Sequence, residues 1–147
     1  MNSVVEANQL SGTLPAELGN LSQIQRMLLS SNNFSGEIPP TFAKLTSLQD
    51  FRIQDNQFSG KIPNFIQSWT SLEKLVIEGS GLSGPIPSGI SLMKNLTDLI
   101  LRRCNIIGTL PEYIGAMDNL KTLDLSFNKL SGNVPCSYDS LKKASYM

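Results

Sequence analysis

The sequence predicts an α/β repeat solenoid of about six turns. Three observations predict it. A Ser-Gly-x-x-Pro turn recurs every 24 residues: SGTLP at Ser11, SGEIP at Ser35, SGKIP at Ser59, SGPIP at Ser83, IGTLP at Ile107 and SGNVP at Ser131. Apolar residues fall in the same columns in every copy. A polar column, Asn8, Asn32, Asn56, Ser80, Cys104 and Asn128, keeps the same period. A fixed period over the whole chain marks a repeat architecture, in which each unit buries its apolar face only against its neighbours.

The strand comes first in each turn. Met27, Phe51, Leu75, Leu99 and Leu123 form one apolar column, and Leu29, Ile53, Ile77, Leu101 and Leu125 form another two residues on. A period of two is that of a half-buried strand. Successive strands then pair in parallel at about 4.8 Å, so six turns stack to a length on the order of 30 Å. The polar column follows, where the chain leaves the strand. Its side chains face inward and satisfy backbone groups that the bend leaves unpaired. Asn suits this best because its amide both donates and accepts.

This column also accounts for Cys104. A thiol beside Arg102 and Arg103 has the surroundings of an activated nucleophile. Its column makes it a buried ladder residue packing as a small hydrophobe, with both arginines on the exposed side. After the ladder, Gly and Pro bend the chain. A looser, partly 3-10-like segment returns it, carrying the columns Leu18, Phe42, Ile66, Ile90, Ile114, Tyr138 and Leu21, Leu45, Trp69, Met93, Met117, Leu141.

Composition excludes several functions. Twelve basic and twelve acidic residues cancel, so the chain lacks the electrostatic footprint of a nucleic-acid binder. It has no histidine, the commonest general base and metal ligand. Two cysteines, Cys104 and Cys136, make neither a metal cluster nor a disulfide framework. No cofactor or metal is expected. No apolar run approaches the roughly 20 residues of a membrane span, and MNSVVEANQL has no signal-peptide pattern.

The columns spell L-x-x-L-x-L-x-x-N-x-L-S-G-x-I-P. LLSSNNFSGEIP (Leu28 to Pro39) and LDLSFNKLSGNVP (Leu123 to Pro135) match it closely. This resembles the plant-specific leucine-rich repeat over essentially the whole chain. The resemblance implies a right-handed superhelix with short parallel strands on the concave face and 3-10 or irregular segments on the convex side. The repeats fall at about 1–23, 24–47, 48–71, 72–95, 96–119 and 120–143. In plants the form resembles the ectodomains of receptor-like kinases and receptor-like proteins, and polygalacturonase inhibitors. LEKLVIEGSGLSGPIPSGISLMKNLTDL (Leu72 to Leu99) and VVEANQLSGTLPAELGNL (Val4 to Leu21) are similar to receptor kinases that also carry a malectin-like domain.

The implied function is non-catalytic recognition at the cell surface. The repeats bind a protein or peptide ligand or a co-receptor ectodomain, and a kinase outside this sequence reports it. The parent protein is then expected at the outer face of the plasma membrane. Both cysteine-paired terminal caps of the family are missing from this sequence, so the chain is expected to be a fragment. Val5, Leu10 and Leu14 at one end, and Leu123, Leu125 and Val134 at the other, are expected to lack cover unless DSLKKASYM folds over the latter.

Residues between the core columns form the concave face, where solenoids commonly bind. Candidate partner-binding residues are Leu28, Arg52, Lys74, Val76, Glu78, Ile100, Arg102, Arg103 and Phe127. Val4, Leu28, Val76 and Ile100 form an apolar file interrupted by Arg52, with charges beside it. An apolar centre with a charged rim is the anatomy of an interface. Arg and aromatic residues anchor such interfaces, and an Arg pair can hold a terminal carboxylate. A second reading is open: opposite charges on adjacent strands pair with one another, as Arg102 with Glu78. Sequons at Asn20, Asn33 and Asn95 are candidate glycosylation sites on exposed positions. Two alternatives stand beside the receptor reading: a secreted inhibitor resembling polygalacturonase inhibitors, and an intracellular scaffold.

Overall fold

The computed structural model describes residues 1–141. Each turn of the coil carries two short strands and one 3-10 turn. The first strands are β1 (Asn2–Val4), β3 (Arg26–Leu28), β5 (Asp50–Arg52), β7 (Lys74–Val76), β9 (Asp98–Ile100) and β11 (Thr122–Asp124). They form one six-stranded parallel sheet in chain order. The register advances by 24 residues per strand, as in Asp50 opposite Lys74 and Lys74 opposite Asp98. The constant repeat length is what keeps every column aligned.

Second strands follow the ladder residue, which the sequence did not disclose. They are β2 (Ser11–Thr13), β4 (Asn33–Gly36), β6 (Gln57–Phe58), β8 (Ser83–Gly84), β10 (Asn105–Thr109) and β12 (Lys129–Ser131). They form two three-stranded parallel sheets, β2-β4-β6 and β8-β10-β12. Ser-Gly is a poor strand sequence, and these segments become strands only through their neighbours' backbone. The motif glycine has a second duty: Gly12, Gly36, Gly60, Gly84, Gly108 and Gly132 all have φ between 77° and 91°. A side chain there would be strained.

The motif proline precedes each 3-10 turn. Pro63, for example, has φ −69° and leads into Asn64–Ser68, which closes with Trp69 N–H donating to the Ile66 carbonyl at 2.9 Å. Proline's fixed φ starts such a turn and removes a donor that has no helical partner there.

The core runs along the axis. Ile24, Leu48, Leu72, Leu96 and Leu120 are at most 1 % exposed. Trp69 is fully buried, 4.9 Å from Phe51 between ring centres, and its indole N–H donates to the Phe42 carbonyl at 2.8 Å. The ends are better covered than expected. Leu14 and Leu123 are buried, because the one adjacent turn and their own 3-10 segment enclose them. Val5 and Leu125 are partly buried, whereas Leu10 and Val134 remain exposed. The expectation about DSLKKASYM concerns mostly positions beyond 141, outside the described residues.

In the ladder column Asn56, Ser80 and Cys104 are buried, and Asn32 and Asn128 are half-buried. Asn56 Nδ2 donates to the carbonyls of Leu29, Ile53 and Gln54 at 3.0–3.3 Å, and its Oδ1 accepts from Phe34 N–H at 3.0 Å. Asn32 and Asn128 repeat the pattern one turn and three turns away. Asn8, with no preceding turn in the structure, is exposed and bonds only carbonyls of its own turn, Val5 and Glu6. Cys104 is 7 % exposed, with its thiol against the carbonyls of Ile77 and Arg102 at 3.5 and 3.3 Å.

Candidate binding face

The six-stranded sheet presents its outer residues in rows. The row Arg26, Asp50, Lys74, Asp98 alternates in sign. Arg26 lies 3.6 Å from Asp50 and Lys74 lies 3.7 Å from Asp98. In the next row Arg52 forks onto Asp50, with Nε to Oδ1 at 2.8 Å and Nη2 to Oδ2 at 3.0 Å. This hydrogen bond and charge hold the Arg52 pKa above its ordinary value despite partial burial. Burial pushes the Asp98 carboxyl up, but hydroxyl hydrogen bonds from Thr122 and Thr97, with the Lys74 charge, outweigh it and leave the pKa lowered.

The apolar file needs correction. Leu28 and Val76 are only 5 % and 7 % exposed. Both flank Arg52 in the register, and rows 4.8 Å apart shield one another on a concave surface. Neither offers a partner much area. Ile100 is half-buried, and Val4, at the sheet's edge, is exposed.

Every charged candidate is paired. Arg102 Nε lies 3.7 Å from Glu78 Oε1, and Arg103 Nη2 bonds Asp55 Oδ1 at 3.0 Å. The pairing of Arg102 with Glu78 was the plainer of the two sequence readings, and the geometry bears it out. At 3.7 Å that contact is too long for a hydrogen bond. Arg102 Nε is the one buried side-chain polar atom without a hydrogen-bond partner among the described residues. The guanidinium sits over the Phe127 ring, 5.0 Å from its centre, within the range of a cation–π contact. Burial also pushes the Asp124 carboxyl up, but two hydrogen bonds from Ser126 and the Arg102 charge lower its pKa overall.

Sequence reasoning missed one feature of this edge. The column before the ladder is left-handed in every turn: Ala7, Ser31, Asp55, Gly79, Arg103 and Phe127 have φ between 50° and 57°. A bulky residue there is strained. The conformation turns these side chains outward, along the lip between the concave sheet and the second strands. Phe127 is 70 % exposed on that lip. Only Gly79 hinted at the backbone state. The lack of a side chain at Gly79 is also needed for the Asp55–Arg103 pair, because a Cβ there would lie 2.8 Å from both Asp55 Oδ1 and Arg103 Nη2.

Asn20, Asn33 and Asn95 are all exposed. Asn33 Oδ1 accepts from Gln57 Nε2 at 2.6 Å, while Asn95 Nδ2 donates to the Thr70 carbonyl at 3.2 Å. Among the described residues no group of acidic, His or Cys side chains could hold a metal ion, and no helix is long and apolar enough to cross a membrane.

A fold of this kind, with a ladder and a graded concave sheet, defines a repeat protein built around Leu columns. The leucine-rich repeat family model matches residues 23–45, 47–69, 95–117 and 119–141, more than half of the chain. The chain belongs to the leucine-rich repeat family. Solved structures similar to it include plant receptor ectodomains. The plant peptide hormone receptor RGFR1, solved in complex with RGF2, superposes with a TM-score of 0.94 at 34 % identity, over 97 % of this chain and 23 % of that one. The Arabidopsis receptor kinase HAESA, solved with the peptide hormone IDA and the co-receptor SERK1, gives 0.89 at 34 % identity, over 99 % and 24 %. The ectodomain of the receptor kinase SOBIR1 from Arabidopsis thaliana gives 0.80 at 28 % identity, over 89 % and 72 %. The chain thus spans about a quarter of the first two. No curated protein sequence matches it.

Proposed function

We propose that this chain is a non-catalytic recognition module from the extracellular part of a plant receptor kinase. It binds a peptide ligand or a co-receptor ectodomain through its concave sheet and the adjoining lip. The observation that carries this is the cluster of Arg102, Arg103 and Phe127. Phe127 is 70 % exposed, and an open aromatic beside arginines is the usual anchor of an interface. Beside it, the Arg102 side chain is 42 % exposed over the Phe127 ring, so its outward guanidinium N–H groups can meet a partner carbonyl or carboxylate. Arg52, Lys74, Glu78 and Ile100 flank the cluster, whereas the burial of Leu28 and Val76 assigns them to supporting the sheet. Two of the neighbours were solved with peptide hormones, which supports a peptide as the first ligand class to test.

The malectin-like association rests on the sequences of Val4 to Leu21 and Leu72 to Leu99 and belongs to the same proposal. So do glycans on Asn20, Asn33 and Asn95, whose exposure fits attachment. The test is a selection from a random peptide display library on the immobilised protein. Peptides enriched on the wild type should lose at least about tenfold in affinity on Phe127→Ala or Arg103→Ala, as for hot-spot residues. Peptides that bind both variants as tightly as the wild type refute this placement of the site.

A further inference from the structure

The ladder that ties one turn to the next is not continuous. Asn32, Asn56 and Asn128 each donate to a carbonyl of the preceding turn: Val5, Leu29 and Leu101 respectively. Each also accepts an N–H from that turn, from Leu10, Phe34 and Ile106. Ser80 occupies the same place between the third and fourth turns. Its hydroxyl accepts from Leu82 N–H of its own turn at 3.4 Å and lies 3.6 Å from the Cys104 thiol. Among the described residues its side chain bonds nothing in the third turn. The period assigns Phe58 N–H to this position, as Phe34 N–H is assigned to Asn56.

A second discontinuity falls at the same seam. The sheets β2-β4-β6 and β8-β10-β12 end there, joined by an isolated bridge between Lys61 and Ser83, where Ser83 N–H and Oγ both donate to the Gly60 carbonyl at 2.9 and 3.0 Å. The concave side stays intact across it. Asp55 N–H donates to the Glu78 carbonyl at 2.8 Å, and Ile53 N–H to the Val76 carbonyl at 3.1 Å. Above these bonds the Asp55–Arg103 ion pair links the third turn directly to the fifth, over Gly79.

We propose that the seam between the third and fourth turns is a built-in hinge. It is open to fluctuation along the second strands and latched on the lip by Asp55 and Arg103. Opening there unpairs few backbone groups, because the amide tie and the sheet pairing are both reduced. The latch is exposed, with Asp55 55 % and Arg103 62 % open to solvent, so an acidic group of a partner can take Arg103 from Asp55. That consequence rests on the recognition reading above. The hinge and latch do not, and the following experiment tests them without any ligand.

Hydrogen exchange of single amides is measured by NMR on the whole chain. In the wild type, Phe58 N–H should exchange at least about fivefold faster than Phe34 N–H and Ile106 N–H, reflecting one missing buried hydrogen bond. Asp55→Asn should raise exchange at Phe58 and Ser83 a further two- to fivefold or so, the range of an exposed ion pair, and leave Phe34 and Ile106 unchanged. Ser80→Asn should slow Phe58 toward the rate of Phe34. Equal rates at Phe58 and Phe34 in the wild type overturn the hinge. A uniform rise, or none, in Asp55→Asn overturns the latch, and both readings hold even if Ser80→Asn fails to fold.

Discussion

Asn56→Ala tests the inward assignment of the ladder with a magnitude worked from the structure. Asn56 is 6 % exposed and makes four bonds, all to backbone. Truncation leaves Phe34 N–H buried without an acceptor, at a cost of about 1–3 kcal/mol. The carbonyls of Leu29, Ile53 and Gln54 lose a shared donor, adding about 1 kcal/mol. The expected loss is therefore about 2–4 kcal/mol. Asn8→Ala is the matched control, because exposed Asn8 bonds only its own turn and water replaces it. Its loss should stay below about 1 kcal/mol. The assay is urea unfolding followed by circular dichroism, with the slope checked for constancy, since repeat arrays can lose cooperativity. Equal losses in the two variants would refute the ladder argument, whatever their absolute size.

Other outcomes follow from the lip and the sheet. Gly79→Ala should destabilise by about 1–2 kcal/mol, because φ is 57° and the new Cβ meets the Asp55–Arg103 pair; the same urea assay reads it. Phe127→Asn should change stability by less than about 1 kcal/mol, since relief of the left-handed strain offsets the lost cation–π contact, while binding of selected peptides falls. Arg102→Ala should leave folding nearly unchanged, within about 1 kcal/mol, because it removes a surface ion pair. The lowered pKa values of Asp98 and Asp124 mean that the folded state binds fewer protons than the unfolded chain just below the ordinary carboxylate value of about 3.9. Their stabilisation is complete above that value and is lost as pH falls through the lowered ones, so the urea midpoint should drop in that window, and less so in Asp98→Asn. Burial pushes the Tyr138 hydroxyl up to about 12, so it should titrate after an exposed tyrosine in ultraviolet difference spectra.

The repeat was legible because each column is read six times over, and one exception such as Ile107 for Ser does not hide it. The ladder was legible for the same reason, including Ser80 and Cys104, whose chemistry differs but whose place does not. The second strands were not. Ser35-Gly36 has no strand pattern of its own, and its pairing exists only between turns. The left-handed column was hidden because Ala7, Ser31, Asp55, Arg103 and Phe127 share no chemistry, only a backbone state. Exposure within the concave face was half legible. Alternation marks Leu28 as outward from the core, but neighbouring rows decide that it is covered. Arg102 facing Glu78 followed from register alone, whereas its position over Phe127 required side-chain geometry.

The proposed receptor role requires that this surface lie outside the cell. Glycopeptide mapping by mass spectrometry, on the protein purified from its native tissue, tests that requirement at Asn20, Asn33 and Asn95. Glycans are expected on these exposed sequons, with Asn20 and Asn33 occupied most fully because Asn95 Nδ2 is held by the Thr70 carbonyl. Three bare sequons, with Cys104 and Cys136 both recovered as free thiols, would contradict it and leave an intracellular scaffold as the reading to pursue.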